Sequence, residues 1–158
     1  MKTLLISLKP RHCENVFAGN KKMELRKRAP RCYGTVNGKF FPEFTHIMIY
    51  QTIKHEIVGI VEAGEIITRF KDEWTEDEIK SLCISKNEII SYTGDSKGVG
   101  IKIFNPKLFN TPIPIRIMID DFGIRPPQQF RYLDPDLARK LIDYGQQETR
   151  ECNFSAAN

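Results

Sequence analysis

The sequence predicts an α+β fold in which five to six short strands form a small β-barrel, or a strongly curved sheet, decorated by short helices. Short segments rich in Ile, Val and Leu recur along the chain, helical patterns separate some of them, and Gly- and Pro-containing turns lie between them. With 158 residues, 41% of them hydrophobic, the chain is long enough to bury one core. We therefore expect a single domain over residues 1–145 and a frayed polar tail over residues 146–158.

The first elements alternate between strand and helix. TLLISLK places Leu4, Ile6 and Leu8 on one face, as in a half-buried strand. Pro10 suits the first turn of a helix, and Gly19 suits its end. We expect KKMELRKR to form a second strand, with its two apolar side chains inward and its charged side chains on the other face, because the two types alternate.

The middle of the chain contains the strongest strand patterns. Residues 29–44 contain two prolines and two glycines, which predicts a loop. HIMIYQT (46–52) and EIVGIVEAGEII (56–67) are rich in Ile and Val, which predicts strands. Within the second of these, Gly59 and Gly64 indicate a bulge or a close approach of another group to the backbone.

The second half predicts further helices and a strand. Thr75 stands three residues before Glu78, a capping-box pattern that opens a short helix over 75–82. A second helix is expected around residues 86–92, a strand over 99–105, and a last short helix over 134–144.

Positive charge is concentrated near the N-terminus. The formal net charge of the chain is only +4, but between Lys2 and Lys39 ten lysines and arginines stand against two carboxylates, Glu14 and Glu24. Such an excess attracts phosphate through its long-range potential. A solvated basic surface is the other interpretation.

The sequence carries no sign of export or membrane insertion. MKTLLISLKP has too short an apolar run for a secretory signal, and no stretch approaches the roughly 20 apolar residues of a membrane span. We therefore expect a cytoplasmic protein. The four cysteines, Cys13, Cys32, Cys83 and Cys152, form no C-x-x-C pair, so we expect reduced thiols and neither a metal site nor a cofactor.

One N-terminal segment carries a family resemblance. ISLKPRHCENVFAGNKKMELRKR resembles the opening signature of the ASCH domain family, in the PUA-like superfamily: a strand ending in S-x-K-P, a helix ending in Gly, and G-x-K-x-x-E-x-R on the next strand. The matching residues are Ser7, Lys9, Pro10, Gly19, Lys21, Glu24 and Arg26. IMIYQT and IVGIVEAGEI resemble the central barrel strands, and RPPQQFRYL resembles a C-terminal motif of one bacterial and phage branch. The resemblance covers roughly residues 3–133.

The resemblance implies a PUA-like β-barrel with a cleft between the N-terminal helix and the barrel. Relatives bind RNA or single modified nucleotides, one small group removes the acetyl group from acetylated cytidine, and another cleaves RNA. The lysine that matches Lys21 is catalytic in the deacetylating group. That group has a threonine where this chain has Glu24, and its acidic residue has no clear counterpart here.

These patterns define a candidate site. Lysines and an arginine that converge at one end of the barrel can hold a phosphate, and a desolvated lysine near another cation can act as base or nucleophile. The expected catalytic residues are Lys21 and Glu24. The expected ligand-binding residues are Ser7, Lys9, Arg26, Tyr50, Gln128, Phe130, Arg131 and Tyr132.

The C-terminal motif RPPQQFRYL contributes four of these residues for chemical reasons. A glutamine amide can form paired hydrogen bonds with a base edge, Phe130 and Tyr132 can stack on a base, and arginine can contact phosphate. The alternative is that Phe130 and Leu133 only seal the barrel.

Three function classes remain open from the sequence. The leading one is a domain that binds RNA or a nucleotide in a basic cleft. The second is a hydrolase that acts through Lys21 on a modified nucleoside, of the acetylated-cytidine type, or on RNA. The third is a protein-binding regulator without a nucleotide site.

Overall fold

The computed structural model describes residues 2–148, apart from the side chains at positions 33, 34 and 36. Residues 149–158, which include most of the predicted tail and Cys152, lie outside the described residues. The elements in chain order are β1 (Thr3–Leu8), α1 (Pro10–Phe17), β2 (Met23–Arg26), β3 (Cys32–Val36), β4 (Lys39–Pro42), β5 (His46–Gln51), β6 (Glu56–Arg69), α2 (Glu76–Leu82), α3 (Lys86–Thr93), β7 (Gly98–Pro114), α4 (Ile115–Asp120), β8 (Phe130–Leu133) and α5 (Pro135–Gln146).

The strands form one mixed sheet, which confirms the predicted α+β fold class. Six strands follow the order β2-β7-β6-β5-β1-β8, in agreement with the expected five to six, and β3 and β4 form a hairpin attached to β6. The β1–β5 pair is parallel, and the other described pairs are antiparallel. The sheet curls so far that Arg26, on the β2 edge, donates hydrogen bonds to backbone oxygens of Ser7 in β1 and of Gln129 next to β8.

Apolar side chains fill both faces of the sheet. One cluster lies between the concave face and α1, and a second lies between the convex face, α4 and α5. Leu4 and Leu8 belong to the first cluster, whereas Leu5 belongs to the second. The prediction of a half-buried β1 was therefore incomplete, because this central strand is covered on both sides.

A third, smaller core lies under α2, which the capping pattern at Thr75 predicted, and α3, which was expected around residues 86–92. Met23 and Leu25 of β2 pack there against Trp74, Leu82 and Ile89. Both apolar side chains of β2 are buried as expected, but against α2 and α3 rather than inside the barrel. The opposite face of β2 therefore points into the curl of the sheet.

The interval predicted as a loop, residues 29–44, instead contains the β3–β4 hairpin. Its turn is formed by Asn37 and Gly38, whose φ angles are 52° and 76°. Positive φ at both positions is the geometry of a type I′ hairpin turn, which an Asn-Gly pair favours. The prediction of a loop was wrong because it followed the prolines and glycines of this interval and not the Asn-Gly pair, which indicates a hairpin.

The long strands are bent at the predicted glycines. The register between β6 and β7 shifts around Gly59 and again between Ala63 and Ile66. A Cβ atom at Gly59 would collide with the backbone oxygen of Lys107 and the ring of Phe17, which confirms the expected close approach. β7 continues nine residues beyond its predicted end at position 105, and α4 follows it directly.

Candidate functional site

A cleft of about 750 Å³ opens between the start of α1, the charged face of β2, and α3. It therefore lies beside the N-terminal helix, as expected, but α3 forms its opposite wall. Its lining residues are Ser7, Leu8, Lys9, Arg11, His12, Lys21, Glu24, Leu25, Arg26, Lys27, Ile84, Asn87, Glu88, Ser91, Tyr92 and Gln128.

The floor of the cleft is a buried charge network of Lys21, Glu24 and Arg26, which we call the floor triad. Their exposed fractions are 4%, 7% and 7%. Glu24 Oε2 lies 3.4 Å from Lys21 Nζ, and Glu24 Oε1 lies 3.3 Å from Arg26 Nε. One carboxylate thus sits between two cations, and the triad keeps a net positive charge.

Local structure explains why these three side chains converge. Glu24 and Arg26 are two residues apart on β2, so they share one face of the strand. Lys21 precedes the strand, and its backbone N–H donates to the Asn15 oxygen of α1 at 2.9 Å. The alternation of β2 thus places charge on the cleft side and apolar groups on the helix side.

Lys21 is anchored as well as buried. Its Nζ donates a hydrogen bond of 2.6 Å to the backbone oxygen of Leu82, the last residue of α2. A cation at a helix C-terminus donates to a carbonyl group that has no partner within the helix, and it interacts favourably with the negative end of the helix dipole. The ammonium group therefore ties α2 to the floor of the cleft.

Arg26 closes the seam between the two ends of the curled sheet. Its guanidinium donates to the Gln129 and Ser7 oxygens, each at 3.2 Å. The Ser7 hydroxyl donates to the Pro127 oxygen at 2.6 Å. The RPPQQ segment is therefore held against β1 and β2 by hydrogen bonds to its backbone.

Three buried polar atoms at this site have no hydrogen-bond partner among residues 2–148: Glu24 Oε2, Arg26 Nε and His12 Nδ1. Glu24 Oε2 and Arg26 Nε each lie within ion-pair distance of an oppositely charged group, but the geometry of these contacts is not that of a hydrogen bond. Buried polar groups in proteins are nearly always paired. These atoms therefore retain unused hydrogen-bonding capacity beside the cleft.

The rim carries more charge and one titratable imidazole. Burial lowers the pKa of His12, and the nearby Lys21 ammonium lowers it further, so the imidazole is neutral at neutral pH. Arg11 Nη1 lies 3.0 Å from Glu88 Oε1 and joins α1 to α3 across the opening. Lys27 Nζ lies 4.7 Å from the centre of the Tyr92 ring.

Six of the ten expected site residues line this cleft. They are Ser7, Lys9, Lys21, Glu24, Arg26 and Gln128. Lys9 and Gln128 are exposed at the rim, while the other four form its floor and inner wall. The structure thus brings together the residues of the S-x-K-P and G-x-K-x-x-E-x-R segments.

The other four expected ligand-binding residues lie elsewhere. Tyr50 is buried in the convex-face core, and its hydroxyl lies 3.1 Å from His55 Nδ1. Phe130 and Tyr132 pack edge to face against each other beside the concave-face core. Arg131 is exposed and alternates with them on β8, so it points away from that core.

The wall contributed by α3 was missed. Asn87, Glu88, Ser91 and Tyr92 line the cleft, and no local pattern connects their helix to the N-terminal segment. The link is the Arg11–Glu88 pair, whose members are 77 residues apart in sequence. The exposed Tyr92 in a predicted helix was the one available signal.

Residues 2–148 contain no cluster of three or more His, Cys, Asp or Glu side chains that could hold a metal ion. Burial raises the pKa of Cys13 to about 12, so its thiol stays protonated. Among the described helices, none is both long and apolar enough to cross a membrane.

The fold and the cleft define a class of protein: an α+β protein built on one curled mixed sheet, with a partly buried basic site. No family model and no curated protein matches the chain. Among solved structures, it is similar to ASCH from Zymomonas mobilis, with a TM-score of 0.75 and 20% identity over 89% of this chain and 94% of that chain. It is also similar to a mutant form of that Zymomonas mobilis protein, with a TM-score of 0.74 and 19% identity over 90% of this chain and 98% of that chain. These neighbours agree with the ASCH-like fold that the N-terminal segment led us to expect.

Proposed function

We propose that this protein is an ASCH-type domain of the bacterial and phage branch that binds RNA, or a nucleotide, in the cleft between α1, β2 and α3. The observation that carries the proposal is the floor triad, buried at the base of a basic cleft, in which Glu24 Oε2 and Arg26 Nε make ion pairs but no hydrogen bonds. Buried charge of this kind is costly for a purely structural role, and it tends to mark functional sites.

The size and charge of the cleft suit one nucleotide unit. Its volume of about 750 Å³ falls within the range of small-ligand sites. Five cations line it, against two carboxylates, Glu24 and Glu88. Lys9, Arg11 and Lys27 at the rim are placed to contact phosphate, and they add the long-range attraction expected for a nucleic acid.

The floor offers groups for the rest of the nucleotide. Glu24 Oε2 faces Lys21 but accepts no hydrogen bond within residues 2–148, which suits an amino or imino donor on a base edge. The half-exposed ring of Tyr92 at the wall offers a stacking surface. The binding function therefore uses phosphate contacts at the rim and base contacts inside.

The hydrolase alternative depends on Lys21, and the contacts of Lys21 favour binding. Its ammonium group donates to the Leu82 oxygen and faces Glu24, so these two contacts hold it in place. A nucleophilic amine would have to leave both contacts. Catalysis by Lys21 and Glu24 stays a prediction. The proposed RNA- or nucleotide-binding function includes a cytoplasmic localisation.

Binding is tested with a labelled single-stranded RNA of mixed sequence, followed by fluorescence anisotropy at about 50 and 200 mM salt. We expect affinity to fall steeply with salt. The double variant Lys9→Ala/Arg11→Ala should weaken binding and lower the salt slope by about one, because it removes up to two phosphate contacts. Lys140→Ala, an exposed lysine on α5 away from the cleft, is the matched control.

The same preparation separates the other classes. Release of acetate from an acetylated cytidine, or cleavage of the RNA, that disappears in Lys21→Ala would establish the hydrolase. The absence of both binding and turnover would overturn the nucleotide proposal and favour a protein-binding role.

A further inference from the structure

A second basic pocket lies next to the cleft and shares a wall with it. Its volume is about 330 Å³, and Lys27, Ser91 and Tyr92 line both cavities. The second pocket adds Arg28 and Lys97. Among the described residues, no carboxylate lines it, and Asp95, which lies nearby in sequence, pairs with Lys71 at 3.0 Å. Three cations thus converge beside the cleft without neutralising partners in the pocket wall.

Two exposed aromatic rings alternate with these cations. Tyr92, 39% exposed, separates the two cavities and has Lys27 Nζ 4.7 Å from its ring centre. Phe70, 46% exposed, lies beyond the second pocket and has Lys97 Nζ 5.0 Å from its ring centre. A protein that exposes two aromatic rings next to cations presents stacking surfaces beside phosphate-binding groups.

We propose that this surface is a track for a single-stranded RNA that extends beyond the nucleotide held in the cleft. The track runs from the cleft over Tyr92, through the pocket of Lys27, Arg28 and Lys97, to Phe70. Phosphates lie against the cations and unpaired bases stack on the rings, which is the arrangement used for single strands. A duplex keeps its bases stacked on one another, so it cannot use the rings in this way. The inference rests on the proposed function and names its ligand as an oligonucleotide rather than a free nucleotide.

The structural alternative is that the cations only stabilise the C-terminal end of α3. This pocket includes Thr93 and Gly94, where helix carbonyl groups carry partial negative charge. That role would make the charges matter for stability but not for the length of RNA bound. It also gives no reason for the exposed ring of Phe70.

The experiment compares probes of different length. The four ribonucleoside 5′-monophosphates, tested singly, compete with a labelled eight-nucleotide RNA of mixed sequence. We expect the octanucleotide to bind at least about tenfold tighter than the best monophosphate, since each stacked base adds a comparable factor. A fully paired duplex of the same sequence should bind more weakly than the single strand.

Variants on the track test which residues carry the extra affinity. Lys97→Ala and Phe70→Ala should each lower the ratio of octanucleotide to monophosphate affinity by roughly threefold to tenfold. Tyr92→Ala should lower octanucleotide affinity, and Tyr92→Phe should restore it because the ring remains. Phe104→Ala and Lys140→Ala are matched controls, since both side chains are exposed and neither lines the cleft or the second pocket, and they should leave the ratio unchanged.

The outcomes separate the two proposals. Equal affinity for octanucleotide and monophosphate would overturn the track while leaving the cleft as a nucleotide site. A fall in melting temperature for Lys97→Ala with no change in the affinity ratio would also overturn it. Absence of binding by every probe would overturn the proposed function itself, and the track with it.

Discussion

Glu24 is the residue on which the floor of the cleft depends. It lies between the ammonium of Lys21 and the guanidinium of Arg26, and all three side chains are more than nine-tenths buried. Burying three charges costs solvation free energy that their mutual attraction offsets only when every partner is present. The same carboxylate that limits the resemblance to the deacetylating group is therefore what allows the two cations to be buried.

Glu24→Gln should destabilise the protein strongly. The amide keeps the shape of the side chain but removes the negative charge, which leaves two buried cations facing each other. We expect a loss of about 3–5 kcal/mol in the free energy of unfolding, the usual result of removing one partner from a buried ion pair. Urea denaturation followed by circular dichroism measures this loss.

Asp136→Asn provides the contrast for that experiment. Asp136 lies 3.5 Å from Arg139 on α5, but the two side chains are 82% and 67% exposed. An exposed pair contributes less than about 1 kcal/mol, so this variant should unfold near the wild-type midpoint. Equal midpoints for the Glu24 and Asp136 variants would show that the floor triad is not a buried electrostatic unit.

At the scale of elements, α3 makes a wall of the cleft although it is only eight residues long. Its start is fixed by a complete capping box: Glu88 N–H donates to Ser85 Oγ at 3.1 Å, and Ser85 N–H donates to Glu88 Oε2 at 3.0 Å. Glu88 also pairs with Arg11, and these contacts lower its pKa, the Ser85 hydrogen bond most of all. The cap therefore orients both the helix and the residue that joins it to α1.

Ser85→Ala should loosen this wall. It removes the hydroxyl acceptor for the Glu88 N–H, and loss of such a cap costs about 1 kcal/mol of stability. The thermal midpoint, measured by calorimetry, should fall by a few degrees. Ser91→Ala is the matched control, because Ser91 is exposed within the same helix and caps nothing. A midpoint for Ser91→Ala as low as that for Ser85→Ala would argue against the capping explanation.

Local patterns predicted the elements where they were strong and isolated. The predicted capping residue Thr75 begins a real helix, a second helix follows at the expected residues, and the Ile- and Val-rich segments are the central strands β5 and β6. The hairpin at Asn37 was missed although its turn signal was present, since neighbouring prolines favoured a loop. The full length of β7 was also missed, because its second half pairs with β6 through long-range contacts that alternation alone does not show.

The sequence predicted those site residues that lie close to one another along the chain. Ser7 and Lys9 lie within one strand-to-helix turn, and Lys21, Glu24 and Arg26 lie within one short segment, so spacing alone placed them near each other. α3 joins them through tertiary packing, which sequence spacing does not encode. For the same reason the aromatic rings expected at the site, Phe130 and Tyr132, proved to pack beside the core instead.

At the scale of the whole molecule, Arg26 holds the curled sheet closed. β2 and β8 lie at opposite ends of the strand order, with no strand pairing between them among the described residues. One guanidinium connects them, through the Gln129 oxygen near β8 and the Ser7 oxygen in β1. The same residue thus belongs to the floor of the cleft and joins the two ends of the sheet.

Arg26→Lys should open this seam while leaving the rest of the sheet intact. Lysine keeps the positive charge beside Glu24, but a single ammonium cannot reach both backbone oxygens and the carboxylate in the geometry of a planar guanidinium. Hydrogen–deuterium exchange should show faster exchange of the amides in Phe130–Leu133, with β5 and β6 protected as in the wild type. The unfolding free energy should fall by about 1–3 kcal/mol, since two partly buried backbone acceptors lose a charged donor. Arg139→Lys, at an exposed position of α5, controls for the substitution itself. Unchanged exchange in β8 of the Arg26 variant would show that strand pairing with β1 alone holds that edge.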